Sequence, residues 1–356
     1  MKTRNTLLAA LVGILGTTAH GQVQLTVTGS TAFRANVLNR VPTLYDTGSL
    51  TSYTNSASAG TISYIGTISN KVSALGATTV TIALAFSGSG TGMTAVKNQA
   101  AIGVTDPSNP TGALINKVPD VAFSDVYPGA ASPPIPDSAF DRSIVGVVPF
   151  VYCKNNALAG ISNITREQAV LLMTASGDFG MPATYLGGAS PNPVYLIGRD
   201  SGSGSRISVE KDIAFSGTPL LWATNGVGGL ITTNGYSSGS LVRAVVASVP
   251  SAIGYLGLAD FNVITNTATA LTFQGVPYTP ANVANGSYGL WGYEHVVNRV
   301  GGLSANQILV RNALLASIQD TTYQSTDPGY TNNFVAVQNM KVERGTDGGP
   351  ITSLNF

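Results

Sequence analysis

Pro193-Val194-Tyr195-Leu196-Ile197 runs without a break into Gly198-Arg199-Asp200-Ser201-Gly202-Ser203-Gly204-Ser205. The first five residues, β-branched and aromatic behind a proline, read as a short strand. The glycine and serine cluster reads as a turn, and residues up to about 213 suit a helix. The same arrangement occurs twice more. Residues 22–28 alternate polar and apolar as a strand does, then pass through Gly29-Ser30-Thr31-Ala32-Phe33-Arg34 into a helix expected over 35–44. Residues 79–86 form a β-branched apolar run that ends at Ser87-Gly88-Ser89-Gly90-Thr91-Gly92, with helix-compatible residues behind it. Asp120-Val121-Ala122-Phe123 is a further short strand, ending at Ser124-Asp125. Strands alternating with helices predict an α/β protein with mixed, mainly parallel sheets flanked by helices.

The remaining segments fit that class. Residues 143–152 form a long β-like run, residues 241–249 read as helix and residues 252–258 as strand. Thr165 with Gln168, and Ser304 with Gln307, have the spacing of capping boxes that open helices. Residues 51–80 are rich in Ser, Thr, Gly and Asn and suggest strands joined by polar loops. No internal repeat is found.

Lys2 and Arg4, an apolar run over residues 7–16 and the small residues ending Ala19-His20-Gly21 have the order of a secretory signal, with cleavage expected between Gly21 and Gln22. The apolar run is too short to span a bilayer core of about 30 Å. The mature chain is therefore expected outside the inner membrane, periplasmic or extracellular, with no membrane anchor. Without Lys2 and Arg4, 16 basic residues stand against 17 acidic ones, a net charge of −1. Nothing in that balance suggests nucleic acid or an anionic membrane surface, which need clustered Lys and Arg.

Cys153 is the single cysteine and lies in the β-like run Val147-Val148-Pro149-Phe150-Val151-Tyr152-Cys153. It reads as a core thiol. His295 is the one histidine beyond the signal segment, set among aromatic and apolar residues, and reads as a packed structural residue. Multi-histidine metal sites are thereby excluded, and a Ser-His-Asp triad would have to recruit that one residue. Trp222 and Trp291 read as packing residues. No cofactor, no metal and no catalysis are expected.

A strand–turn–helix junction leaves the first N–H groups of its helix unpaired, at the positive end of the helix dipole. Glycines let the backbone approach a ligand, and hydroxyls add donors. Any one such loop is ordinarily just a capped connection. Three together, with Arg199 in one of them, favour a site for a small oxyanion that needs few formal charges.

In their order along the chain these motifs resemble those of the periplasmic phosphate-binding proteins of ABC importers, within the type II periplasmic-binding-protein superfamily. The resemblance rests on Gly29-Ser30-Thr31-Ala32-Phe33, the Gly/Ser loop over 86–92, and Val121-Ala122-Phe123-Ser124-Asp125. It continues through the helix region of 161–173, the Arg-x-x-Gly-Ser-Gly-Thr-like stretch of 198–206, Ala252-Ile253-Gly254-Tyr255, and the Asn-Gly-x-Tyr-like turn ending Asn285-Gly286-Ser287-Tyr288. It implies a two-lobed fold with a ligand held between the lobes. Ser30, Thr31, Ala32 and Phe33 would donate from the first loop, Ser89 from the second, and Ser203, Gly204 and Ser205 from the start of a helix. Arg199 would be the charged donor. Ser124 and Asp125 would complete the site, with Asp125 accepting the proton that monohydrogen phosphate carries and sulfate lacks.

Three positions depart from the family pattern. The aspartate that follows the arginine by two residues is Ser201 here, with the acid one place earlier at Asp200. Ala32 stands where threonine is usual, and Arg34 where proline is. The lobes are expected over 22–148 with 260–356, and over 152–254, with hinge crossings near 148–152 and 254–261. A monomer that captures phosphate or a related oxyanion, with an ABC permease as its partner, is the reading these features favour. A surface or matrix protein that keeps the fold without phosphate transport, a secreted hydrolase and a binder of another oxyanion are the alternatives.

Overall fold

The computed structural model describes residues 22–55, 60–109, 111–174, 180–227 and 229–354. The expected signal segment and its cleavage site lie outside these. One sheet of eleven strands organises the molecule. Its strands are β1 Val23–Gly29, β2 Thr51–Thr54, β3 Thr61–Gly66, β4 Val80–Ala85, β5 Val121–Ser124 and β6 Phe140–Asn155. They continue with β7 Met181–Pro182, β8 Pro193–Ile197, β9 Ala252–Gly257, β10 Ala268–Ala270 and β11 Trp291–Arg299. Their order is β7-β8-β9-β6-β11-β5-β1-β4-β3-β2, with β10 also paired to β6. The flanking helices are α1 Arg34–Arg40, α2 Ser89–Asn98, α3 Arg166–Thr174, α4 Gly204–Asp212, α5 Gly239–Ser248 and α6 Ala305–Ile318.

Among the described residues, parallel pairing on this sheet occurs between three pairs of strands, and a small separate sheet pairs Thr272–Phe273 with Asn163–Ile164 in parallel as well. β1 runs parallel to both β4 and β5, and β8 runs parallel to β9. The other pairings on the sheet are antiparallel, including all three partners of β6. The sheet is thus mixed, as expected, but mainly antiparallel where the sequence predicts mainly parallel pairing, because β6 and β11 run against the strands beside them. Because β1 lies between β4 and β5, the C-terminal ends of all three open side by side, the place where open α/β sheets hold ligands.

β6 spans both halves. Its sixteen residues reach roughly 50 Å. Phe140 to Pro149 face β11, and Phe150 to Lys154 face β9. Valines and aromatics along β6, β9 and β11 have no solvent exposure or almost none, so β9, β11 and β6 from Val145 onward are buried on both faces. Cys153 is a free, fully buried thiol there, and burial pushes it up to about 12. Both capping boxes form: Thr165 and Gln168 exchange hydrogen bonds at 2.9 and 3.1 Å, and Ser304 and Gln307 at 3.0 and 3.3 Å.

Candidate functional site

Gly29 ends β1 with φ +108°, a conformation that admits glycine readily, and any Cβ there would run into the Phe123 carbonyl. Its own carbonyl accepts the N–H groups of Ser87 and Gly88 at 3.2 and 2.8 Å, while Ser30 N–H donates to Phe123 at 2.8 Å. The ends of β1, β4 and β5 are thereby tied together. Phe33 is buried and stacks on Phe123 with ring centroids 5.8 Å apart, which fixes the first loop over the core. The Ser30 hydroxyl accepts the Phe33 N–H at 3.1 Å.

From the other half come the turn after β8 and the start of α4. Ser89 donates its hydroxyl proton to Asp125 Oδ1 and accepts the Asp125 N–H at 3.2 Å. Ser205 donates to Asp125 Oδ2 at 3.4 Å. Ser203 caps α4, its hydroxyl accepting the Arg206 N–H. That leaves the N–H groups of Gly204 and Ser205 without carbonyls inside their own helix. Gly204 lies so close to Ser89 and Asp125 that a Cβ would overlap both. At the start of α2, Gly90 and Thr91 donate to the Gly202 carbonyl at 3.0 and 3.4 Å. The two halves are closed on one another, with Ser30, Ser89, Asp125, Arg199 and Ser203 at most 2% exposed.

Arg199 is held without an adjacent ion pair. Its Nε donates to the Tyr236 carbonyl at 3.0 Å, Nη2 to the Ser237 carbonyl at 2.8 Å and Nη1 to Thr31 Oγ1 at 3.1 Å. Its backbone N–H donates to the Tyr255 hydroxyl at 3.1 Å. Burial lowers the guanidinium, and the fields of Asp200 and Asp125 oppose that shift. The carbonyls of Tyr236 and Ser237 therefore orient Arg199, where the sequence pattern left an orienting acid missing at Ser201.

The structure brings Thr31, Ser89, Asp125, Arg199, Ser203, Gly204 and Ser205 together across the halves. Ser30 and Phe33 shape the first loop. Ala32 packs against Gly257 and brings no polar group. The Ser124 hydroxyl is turned to its own loop, donating to the Val126 carbonyl at 2.7 Å and accepting the Val126 N–H at 3.2 Å.

Sequence reasoning missed Glu294. It is wholly buried on β11, and burial first, then Asp125, pushes its carboxyl well above the usual carboxylate range, against the Ser30 hydroxyl. The available signal was an acid inside a strand buried on both faces. His295 beside it is a packed residue, edge-on to Tyr127 at 4.5 Å between centroids. Burial, then Arg142, lowers it to about 3. Trp291 is fully buried beneath the Arg344 guanidinium, 4.1 Å from its ring, and Trp222 packs edge-on to Tyr195.

A mixed sheet continues through both halves, and a polar site is closed between its strand ends. No family model matches the chain. A stretch of 207 residues is 26% identical to the phosphate-binding protein PstS of Bacillus subtilis, spanning 58% of this chain and 60% of that protein. A phosphate ABC transporter substrate-binding protein from Clostridium perfringens, solved with bound phosphate, matches with a TM-score of 0.60 at 14% identity, covering 88% of this chain and 99% of that one. An ABC-type phosphate transport receptor from Vibrio cholerae matches with a TM-score of 0.52 at 15% identity, over 87% and 99% of the two chains. The fold is theirs.

Proposed function

We propose that this chain is an extracytoplasmic binding protein that captures phosphate between two lobes for ABC import. The observation that carries the reading is the meeting of Asp125, Ser89 and Thr31 from one half with Arg199, Gly204 and Ser205 from the other in a site closed to solvent. The similarity to phosphate-binding proteins supports the choice of ligand. Arg199 supplies the positive charge, the start of α4 supplies backbone donors, and Asp125 accepts the ligand's proton. Sulfate would leave two negative charges facing one another in a dry cleft.

The lobes are 22–148 with 260–356, and 152–254, hinged near 148–152 and 254–261. Cleavage after Gly21 releases a monomer that delivers its ligand to a permease. The test is calorimetric titration of protein stripped of phosphate by unfolding and refolding, with phosphate and then sulfate at mildly alkaline pH. Phosphate binding without a sulfate response, abolished by Arg199→Ala, is the expected result. A protein that binds neither anion retains the fold for another purpose, and one that binds sulfate equally well is a general oxyanion receptor.

A further inference from the structure

Strand β11 places an acid against the first loop. Glu294 has no solvent exposure, and its carboxyl oxygens, which make no well-formed hydrogen bond, have the Ser30 hydroxyl as their polar neighbour. The long strand β6 sets only Gly146 opposite it. The turn after β5 brings Asp125, the first loop brings the Ser30 hydroxyl, and the helical turn Pro328–Thr331 brings the Tyr330 phenol. Helix α2, also packed on β11, begins here with Ser89 and Gly90 and keeps its Lys97 in its last turn. No cation among these groups offsets a charge on Glu294. A carboxylate desolvated in this way takes up a proton rather than bear the cost of burial.

We infer that Glu294 is a neutral carboxylic acid placed behind Ser30, a positioning residue that makes anion capture pH-dependent by controlling where the Ser30 hydroxyl points. The inference rests on the anion-binding reading above and deepens it. Ser30 Oγ already accepts the Phe33 N–H at 3.1 Å. With Glu294 protonated, its O–H donates to the remaining lone pair of Ser30 Oγ, and the serine proton is left for an anion oxygen. With Glu294 ionised, the serine proton turns to the carboxylate. The anion then loses a donor and meets a second negative charge beside Asp125. Linkage makes the effect reciprocal: a bound anion strengthens the hold of Glu294 on its proton.

The experiment measures phosphate affinity from mildly acidic to alkaline pH for the full mature chain and for Glu294→Gln, whose amide donates to Ser30 at every pH. Both proteins meet the same mixture of phosphate ionisation states, so the ratio of their affinities isolates Glu294. That ratio is expected to rise with pH, by up to about tenfold per unit once the carboxyl ionises. The infrared intensity of protonated carboxyls should be lower in the variant than in the wild type, and the difference should persist into alkaline solution, where Asp212 and Asp347 have ionised. A ratio that stays constant with pH, or no such difference, overturns the role of Glu294 while leaving phosphate binding intact. A wild type that binds no phosphate at any pH overturns both readings. If Glu294→Gln does not fold, Ser30→Ala replaces it: the loss of the hydroxyl should flatten the pH dependence, and a profile as steep as the wild type's would sink the proposal.

Discussion

An arginine that is to meet an anion must hold its planar fork still while keeping its charge available. Arg199 does this through neutral acceptors, the carbonyls of Tyr236 and Ser237 and the hydroxyl of Thr31. None of these hydrogen bonds cancels the charge as an orienting carboxylate would. A lysine reaches one point where the guanidinium reaches three, so Arg199→Lys is expected to weaken phosphate binding by about 2 kcal/mol, some thirtyfold. Calorimetry reads this directly, and an unchanged affinity would place the anion away from Arg199. A second consequence at this scale concerns stability. Folded Glu294 keeps a proton that the unfolded chain releases above about pH 4.3. The stabilisation measured against a permanently neutral side chain is thus complete below that pH and is lost as pH rises, by up to about 1.4 kcal/mol per unit. His295 has the opposite sign. Its folded value of about 3 lies below that of the unfolded chain, so stability is lost as pH falls towards 3. The melting temperature of Glu294→Gln should therefore gain on that of the wild type as pH increases, and parallel melting curves would mean that the carboxyl titrates normally.

At the scale of elements, the site depends on how closely two helix starts approach. Gly204 begins α4 directly against Ser89, the first residue of α2, and Asp125, with no room for a methyl group. Gly204→Ala should leave each half folded and prevent their closure. The expected result is loss of most phosphate affinity with little change in far-ultraviolet circular dichroism, and full affinity would show that the ligand holds the two starts further apart. These junctions were legible in the sequence because local chemistry writes them. Strand, glycine, hydroxyl and helix appear in that order, and the capping pairs Thr165 with Gln168 and Ser304 with Gln307 form as their spacing predicts. The supports were not legible. The acceptors that orient Arg199 are backbone carbonyls, and any residue supplies a carbonyl, so Tyr236 and Ser237 carry no mark of the task. Glu294 was hidden differently, inside an apolar stretch whose histidine drew the attention. The Ser124 hydroxyl turns to its own loop because the Val126 N–H and carbonyl lie within its reach, a local competition that spacing alone does not reveal.

Across the whole molecule, the C-terminal segment acts as a strap. Arg344 Nη1 donates to Asp212 at the end of α4 at 2.6 Å and to the Trp291 carbonyl on β11 at 2.8 Å, while Nη2 donates to the Gly289 carbonyl at 2.9 Å. The Tyr127 hydroxyl, beyond β5, donates to the Arg344 carbonyl at 2.8 Å, and its N–H donates to Asp347 at 2.8 Å. One segment thus joins α4 to strands on the far side of the site. The Arg344–Asp212 pair is almost fully buried, and burial pushes Asp212 up to about 7 even with the arginine against it. Without Arg344 that carboxyl must rise further, so its charge remains a burden only in alkaline solution. Arg344→Ala is expected to cost about 3–5 kcal/mol of stability at about pH 8, where Asp212 must either stay charged and unpaired or hold a proton that the unfolded chain has released. At about pH 5 the carboxyl takes up a proton, and the loss should shrink towards that of the hydrogen bonds to Trp291 and Gly289, about 1 kcal/mol each. Replacing both partners, with Asp212→Leu and Arg344→Met together, should restore much of the loss at the higher pH, since no charge is then left in the interior. Urea melts of the three proteins at both pH values test this. Equal losses for Arg344→Ala at the two values would mean that the strap is held by its hydrogen bonds and by packing over Trp291, and that the ion pair contributes nothing to it.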